Sequence, residues 1–456
     1  MAANLISRKQ RETTQASNAS DIENQYKVLM KSVKKKLNSV HPIPSNCSIH
    51  RVPERLRKVN EDAYTPQLVS IGPFHHGKEN LQAMEKHKLQ YMRDFICRTP
   101  NPEISLEECG KAIVGLKQKA IDCYSETIDF ESHIFVEMML VDGCFILELF
   151  MKYSIKNLRD TDDPLFNTAW MITTLKRDLL LLENQLPFFI LESLFSSIHL
   201  SSDPLSNSLV EFTFSFFNLV LRYDVQLLKK KCSLHGKHLL DLVRNAYLPS
   251  PSHKVEGKKS REIPEFVHCA TELGREGITF RKSVADNLFE IKFRNGVLDI
   301  PALRIQDITE SIFRNMIAFE QCCHGCTHLI SSYVVFMDSL INTAQDVELL
   351  QNKRIIGNYL GGEEEIAVLF NTISKEVAVN GFYYSDLSER VDAYYKARWN
   401  IWKATYYKRR WHVWKATLKR DYFSNPWAII SVVAAIVLLG LTVLQSVYTV
   451  MSYYPH

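Results

Sequence analysis

The C-terminal thirty residues constrain this chain most. From Pro426 to Pro455 no residue is charged, and Ala428 to Met451 reads AIISVVAAIVLLGLTVLQSVYTVM. As a helix, that stretch is long enough to cross the ~30 Å hydrocarbon layer of a bilayer. A buried core helix is the alternative, but such helices rarely run this far apolar on every face. The run therefore predicts a transmembrane helix over 426–451. Asn425 and Pro426 suit an N-cap and first helical position, because proline lacks the N–H that a helix start leaves unpaired. Trp427 at one end and Tyr448, Tyr453 and Tyr454 at the other suit the two interfaces.

The preceding segment, 396–425, is basic and rich in tryptophan. Nine bases (Lys396, Arg398, Lys403, Lys408, Arg409, Arg410, Lys415, Lys419 and Arg420) stand against one acid, Asp421. Nine minus one gives +8, so the remainder of a chain with formal charge +4 carries −4. Positive juxtamembrane charge stays cytoplasmic, which places the body on the cytosolic side. The expected lipid contacts are the bases, Lys408, Arg409, Arg410, Lys415, Lys419 and Arg420 foremost, with Trp399, Trp402, Trp411, Trp414 and Trp427 as interface anchors. W-x-x-W-K-A-T occurs twice, at Trp399 and Trp411, an offset of twelve residues. On a straight helix that offset is a rise of ~18 Å and a rotation of ~120°, so the two pairs cannot face one side.

Basicity confined to a membrane flank meets anionic lipid, not nucleic acid. The N-terminus, MAANLISRKQRETTQ, has no apolar core and no small-residue cleavage site, so no secretory signal is read there. Ten cysteines without framework spacing then read as reduced thiols, and disulfides are not expected. Asn18 and Asn46 lie in glycosylation patterns, NAS and NCS, and report topology: a glycan on either requires the lumenal side.

The fold expected is mainly α: a multi-helix body with a small β-hairpin element and one C-terminal transmembrane helix. Residues 1–45 are polar, with a weak helical pattern from Ile22 to Leu37, and read as a loosely ordered arm. A helical subdomain follows over 46–250, with apolar residues at three- and four-residue intervals in 106–124, 132–153, 169–198, 209–228 and 238–247. Pro187 in NQLPF should break or kink one of these. Residues 251–265, rich in Pro, Ser and charge, read as an exposed linker. The second subdomain, 266–395, mixes helices (from 309, over 338–350 and 363–379, and from 387) with a hairpin. There Phe289, Ile291 and Phe293 alternate ahead of the Asn295–Gly296 turn.

Chemical motifs are few. Cys322, Cys323, His324, Cys326 and His328 form the densest cluster of soft metal ligands, but a zinc site normally draws on two separated pairs and no second pair is present. Helix end with reduced thiols is the preferred reading. His75 and His76 read as a turn pair, since no nucleophile motif accompanies them. Glu137 with Asp142 and Asp178 with Glu183 sit five residues apart, about 140° around a helix, and read as charged exposed faces. No phosphate-loop, dinucleotide, HExxH or EF-hand pattern occurs, so no cofactor and no enzymatic activity are expected.

Several stretches, in order, resemble the plant-specific family known as domain of unknown function 247 (UPF0481-type membrane proteins). They are RVP, AYTPQLVSIGPFHHG and MEKHK within 49–98, FVEMMLVDGCFILELF at 135–150, ENQLPFF at 183–189, NGVLDIP and FEQC within 295–322, and RDYFSNPWA before the span. The resemblance implies a mostly helical plant protein with one C-terminal anchor and no established activity. Some grass members are associated with self-incompatibility recognition between pollen and stigma. Members carry one W-x-x-W-K-A motif, so the duplication here is a departure. The expectation is a single-pass protein with a cytosolic body, in the plasma membrane, acting as an interaction or recognition module toward an unknown protein partner. The alternative is a membrane-held enzyme of unrecognised class.

Overall fold

The computed structural model describes residues 23–38, 47–197, 208–217, 235–249, 268–283, 287–379, 381–398, Trp411, Trp414, Thr417 and 426–453. The expected linker 251–265 lies outside them. The chain divides into two compact units. One takes Met1–Val52, Pro66–Phe216 and His235–Leu242, the other Pro53–Thr65, Phe217–Leu234 and Val243–His456.

In the first unit, residues 23–38 form a helix, α1, where the sequence suggests a loose arm. α2 (Ala83–Ile96), α3 (Pro102–Ile121), α4 (Ser132–Ser154), α5 (Ala169–Asp178), α6 (Phe188–Ser197) and α7 (Leu209–Phe217) follow. α4 is the central element: it packs on α2, α3 and α6, and most of its residues are buried. α3 starts at Pro102, its missing N–H harmless in the first turn. The expected 169–198 helix is two helices, α5 and α6, because Pro187 cannot donate within a helix and the chain before it turns. α8 is Leu239–Tyr247.

The second unit combines α9 (Ala270–Arg275) with five short strands. These are β1 (Thr279–Ser283), β2 (Lys292–Arg294), β3 (Val297–Pro301), β4 (Leu303–Ile305) and β5 (Ile356–Asn358). β2 and β3 are the expected hairpin, with Phe293 opposite Leu298. Its turn holds Asn295 and Gly296 at φ of 52° and 77°, the left-handed pair that a type I′ connection needs. Phe289 and Ile291 are buried but precede the strand. Two parallel pairings were not anticipated: β1 alongside β3, and β4 alongside β5.

Helices α10 (Thr309–Cys322), α11 (Leu329–Leu340), α12 (Ala344–Asn352) and α13 (Glu363–Ile373) make the body of this unit, followed by α14 over 385–398. The helix expected over 338–350 is interrupted at Ile341 because Thr343 starts a new one. Thr343 and Asp346 form a capping box, each side chain satisfying the other's backbone N–H. α15 runs from Pro426 to Tyr453. The described chain is thus a mainly helical body with a small sheet and one long apolar C-terminal helix.

Candidate functional site

α15 is 28 residues long, a length of about 42 Å at the α-helical rise. Its Val433–Val450 stretch is the one candidate membrane span among the described residues, long and apolar enough to cross a bilayer by length and composition. Its large aliphatic side chains, Leu438, Leu439 and Leu441 among them, are exposed. Three of its hydroxyls are satisfied within the helix: Thr442 donates to the Leu438 carbonyl at 2.7 Å, Ser446 to Thr442 at 2.8 Å, and Thr449 to Gln445 at 2.7 Å. Such back-bonding hides hydroxyls where no water can serve them. Of the interface residues named from sequence, Trp411, Trp414 and Trp427 are described and all three are exposed. The Trp411 and Trp414 rings lie 5.4 Å apart. Lys408, Arg409, Arg410, Lys415, Lys419, Arg420, Trp399 and Trp402 lie outside the described residues.

The motifs of the first unit converge on a different kind of structure, a buried polar framework. α2 presents Lys88, Tyr91 and Asp94, and Arg98 follows in the turn after it. Lys88 Nζ meets Asp142 at 2.7 Å, and Asp142 also accepts the Gly72 N–H at 2.8 Å. Arg98 grips Glu148 through Nε at 2.8 Å and through its second arm. Lys152 meets Asp94 at 2.8 Å and Asp163 at 3.3 Å, while the Tyr91 hydroxyl donates to Asp163. The charged groups α4 carries into the core are thus paired, which burial demands.

A second cluster holds the irregular segment at 67–72. Asp178 accepts three successive backbone N–H groups, Gln67, Leu68 and Val69, at 3.0, 2.7 and 3.1 Å. Burial pushes its carboxyl above the ordinary range, while these donors pull it back. Glu183 accepts the Val52 N–H at 2.7 Å and Arg51 at 3.1 Å, with His75 3.5 Å away. Asn184 bonds Ile71 N–H and the Val69 carbonyl, and Gln185 accepts the Leu240 N–H. Gly72 has φ of +70°, and a Cβ there would lie 2.7 Å from the Gln185 carbonyl oxygen, so the turn admits only glycine.

These findings overturn the reading of Asp142, Asp178 and Glu183 as exposed faces: each is at most 2% exposed, and only Glu137 lies on the surface. Periodicity assigns a helix face but cannot show that a partner 54 residues away waits on it. His75 is likewise buried and His76 packs edge-on against Phe130 at 5.7 Å.

In the second unit, Glu320 of FEQC caps α11. It accepts Ile330 N–H at 3.1 Å, Ser331 N–H at 2.9 Å and the Ser331 hydroxyl at 2.8 Å, and pairs with Arg244 at 2.8 Å. Arg244 also donates to the Thr327 carbonyl. Of the five soft ligands beside it, Cys323 and Cys326 are joined in a disulfide, against the expectation of thiols, and Cys322 stays outside that bond. His324 is exposed and His328 half-buried. Among the described residues no three His, Cys, Asp or Glu side chains converge as a metal site. A cleft of about 320 Å³ lies elsewhere in this unit, lined by Asn60, Asp307, Glu310, Arg314 and Glu365. Arg314 is paired with Glu310 at 2.7 Å, and Asn60 donates to the same carboxylate at 2.8 Å. Sequence reasoning missed it, because its walls come from segments far apart in the chain.

Two Arabidopsis thaliana proteins are similar over nearly the whole length. UPF0481 protein At3g47200 is 35% identical over 435 residues, covering 90% of this chain and 87% of that one. Putative UPF0481 protein At3g02645 is 22% identical over 494 residues, covering 87% and 89%. No solved structure matches the chain. Residues 49–441 match a family described as plant protein of unknown function, and span both the polar framework of the first unit and most of α15. The chain belongs to this plant family, domain of unknown function 247.

Proposed function

We propose that this protein is anchored in a membrane by α15, with its body in the cytosol, and works by binding a partner and not by catalysis. The observation that carries the reading is a 28-residue uncharged helix whose aliphatic side chains are exposed and whose hydroxyls bond back to their own helix. Water is a poor solvent for such a surface and lipid a good one. The +8 charge of 396–421 supports the cytosolic orientation. Anionic lipid as a partner is supported at the other end of the chain too. Tyr26, Leu29, Val33 and Leu37 run along one side of α1 and stay exposed, with Lys27, Lys31, Lys34 and Lys35 around them. A recognition role and the plasma membrane as its place are supported by the family resemblance.

Deleting 426–456 tests the anchor. The truncated protein is expected in the soluble fraction, and the full chain in the pellet after alkaline carbonate. A truncated chain that still resists carbonate would overturn the assignment. Protease added outside intact cells should spare the body, and Asn18 and Asn46 should carry no glycan.

A further inference from the structure

We propose that Cys323 and Cys326 form a reversible thiol–disulfide site that exchanges with a thioredoxin-class dithiol and controls how firmly the loop before α11 is held. The proposal rests on the cytosolic placement of the body, since a disulfide in that compartment is transient or redox-sensing and not a permanent staple.

The bond spans C-x-x-C, with Cα atoms 5.6 Å apart, in the loop between α10 and α11. Closing so short a ring constrains the unfolded chain little, so stabilisation is a poor reason for it. Local structure is already secured by other means: the Cys323 N–H closes α10 on the Phe319 carbonyl at 2.8 Å, and Glu320 caps α11. Of the other described cysteines, Cys109, Cys123, Cys144 and Cys269 are buried thiols. The disulfide sits on a loop with exposed residues, His324 and Gly325, and its two cysteines differ in exposure, Cys326 half-buried and Cys323 only 7% exposed. An incoming thiolate therefore reaches Cys326.

The dithiol's thiolate attacks Cys326 Sγ, the Cys323–Cys326 bond breaks, and its electron pair leaves on Cys323 Sγ, which takes a proton. The dithiol's second thiol then attacks its own sulfur in the mixed disulfide, releasing Cys326 as a thiol and leaving the dithiol oxidised. Two electrons and two protons pass to the protein, and an oxidised dithiol reverses the step. The consequence is local: Thr327, next to Cys326, gives its carbonyl to Arg244, the partner of Glu320. Opening the ring frees the loop from one side of that clamp.

The test uses the full-length protein in lipid nanodiscs. Reduced thioredoxin should add two maleimide-reactive thiols, mapped by mass spectrometry to Cys323 and Cys326, and oxidised thioredoxin should remove them. A thioredoxin whose second cysteine is serine should be trapped on Cys326, not Cys323. Hydrogen exchange at 324–331 should rise about threefold or more on reduction, with α4 unchanged. A bond that resists thioredoxin under conditions that reduce insulin, trapping on Cys323, or unchanged exchange would overturn the proposal. Glycans on Asn18 or Asn46 in cells would show that the orientation had failed and take the proposal with it. Absent glycans with a bond that never opens would defeat the redox site alone.

Discussion

α4 and α15 are both long and rich in aliphatic residues, yet one is buried along most of its length and the other exposed. The buried helix is the one that carries charge. Asp142, Glu148 and Lys152 lie inside because α2 and its neighbours bring Lys88, Arg98, Asp94 and Asp163 to meet them. The exposed helix carries none, and its hydroxyls turn back on its own carbonyls. A core helix can borrow partners from other elements, whereas a helix facing lipid must be complete in itself. Apolar content alone therefore does not separate the two; the place where polar groups find partners does.

The sharpest way to break this comparison is to give α15 what α4 tolerates. Leu438→Arg combined with Leu441→Arg places two cations in mid-span without partners, at about 2.5–3.5 kcal/mol each on the insertion scale, about 5–7 kcal/mol together. The carbonate-resistant fraction should fall steeply, while Leu438→Ile with Leu441→Ile leaves it unchanged. Full retention of the doubly charged variant would mean that α15 is not surrounded by lipid.

The converse change removes charge from α4. Asp142→Ala leaves the Lys88 ammonium buried without its main counter-ion and strips the Gly72 N–H of its acceptor. Loss of one member of such a pair costs about 3–5 kcal/mol. Adding Lys88→Met to Asp142→Ala should recover part of that, because the ammonium left without Asp142 is then gone. Denaturant midpoints of the four proteins in micelles form the cycle; additive losses would show that the two groups act independently.

How much of this was legible follows from the range of each interaction. Local signals read correctly: the Asn295–Gly296 hairpin, the break at Pro187 and the terminal helix depend on neighbouring residues. The Thr343 capping box was also local, but the apolar period running across 338–350 masked it. The parallel pairs β1–β3 and β4–β5 were invisible because strands of three to five residues are too short to show a period, and their partners lie elsewhere in the chain. The buried carboxylates were misread for the same reason. A helical wheel places Asp142 on a face, but Lys88 reaches it only through the packing of two helices. The disulfide was missed because cysteine spacing was judged by compartment, which argues against permanent bonds and is silent about exchangeable ones.

The smallest expected effect concerns a buried group that, unlike those of α4, is held neutral. His238 is fully buried; its Nε2–H is placed to donate to the Ser48 carbonyl at 3.2 Å and its Nδ1 accepts the Asp241 N–H at 3.3 Å. That pattern uses both nitrogens of the neutral ring. Burial pushes the imidazole down to about 4 from an ordinary 6.5; His50 and Lys237 act in the same direction and Asp241 against it. Between those values the unfolded chain binds a proton that the folded one refuses. Stability from this residue is therefore complete above pH 6.5 and declines as the pH falls toward 4, by about 3 kcal/mol in all. Burial raises Asp142, Glu148 and Asp178, which take up protons in the folded state first, so they oppose this trend. The difference between wild type and His238→Gln isolates the histidine. The wild-type advantage should shrink between pH 6.5 and 4.5; a difference independent of pH would show that the fold leaves the ring's proton affinity unchanged, and one that grows as the pH falls would make His238 another paired ion like those of α4.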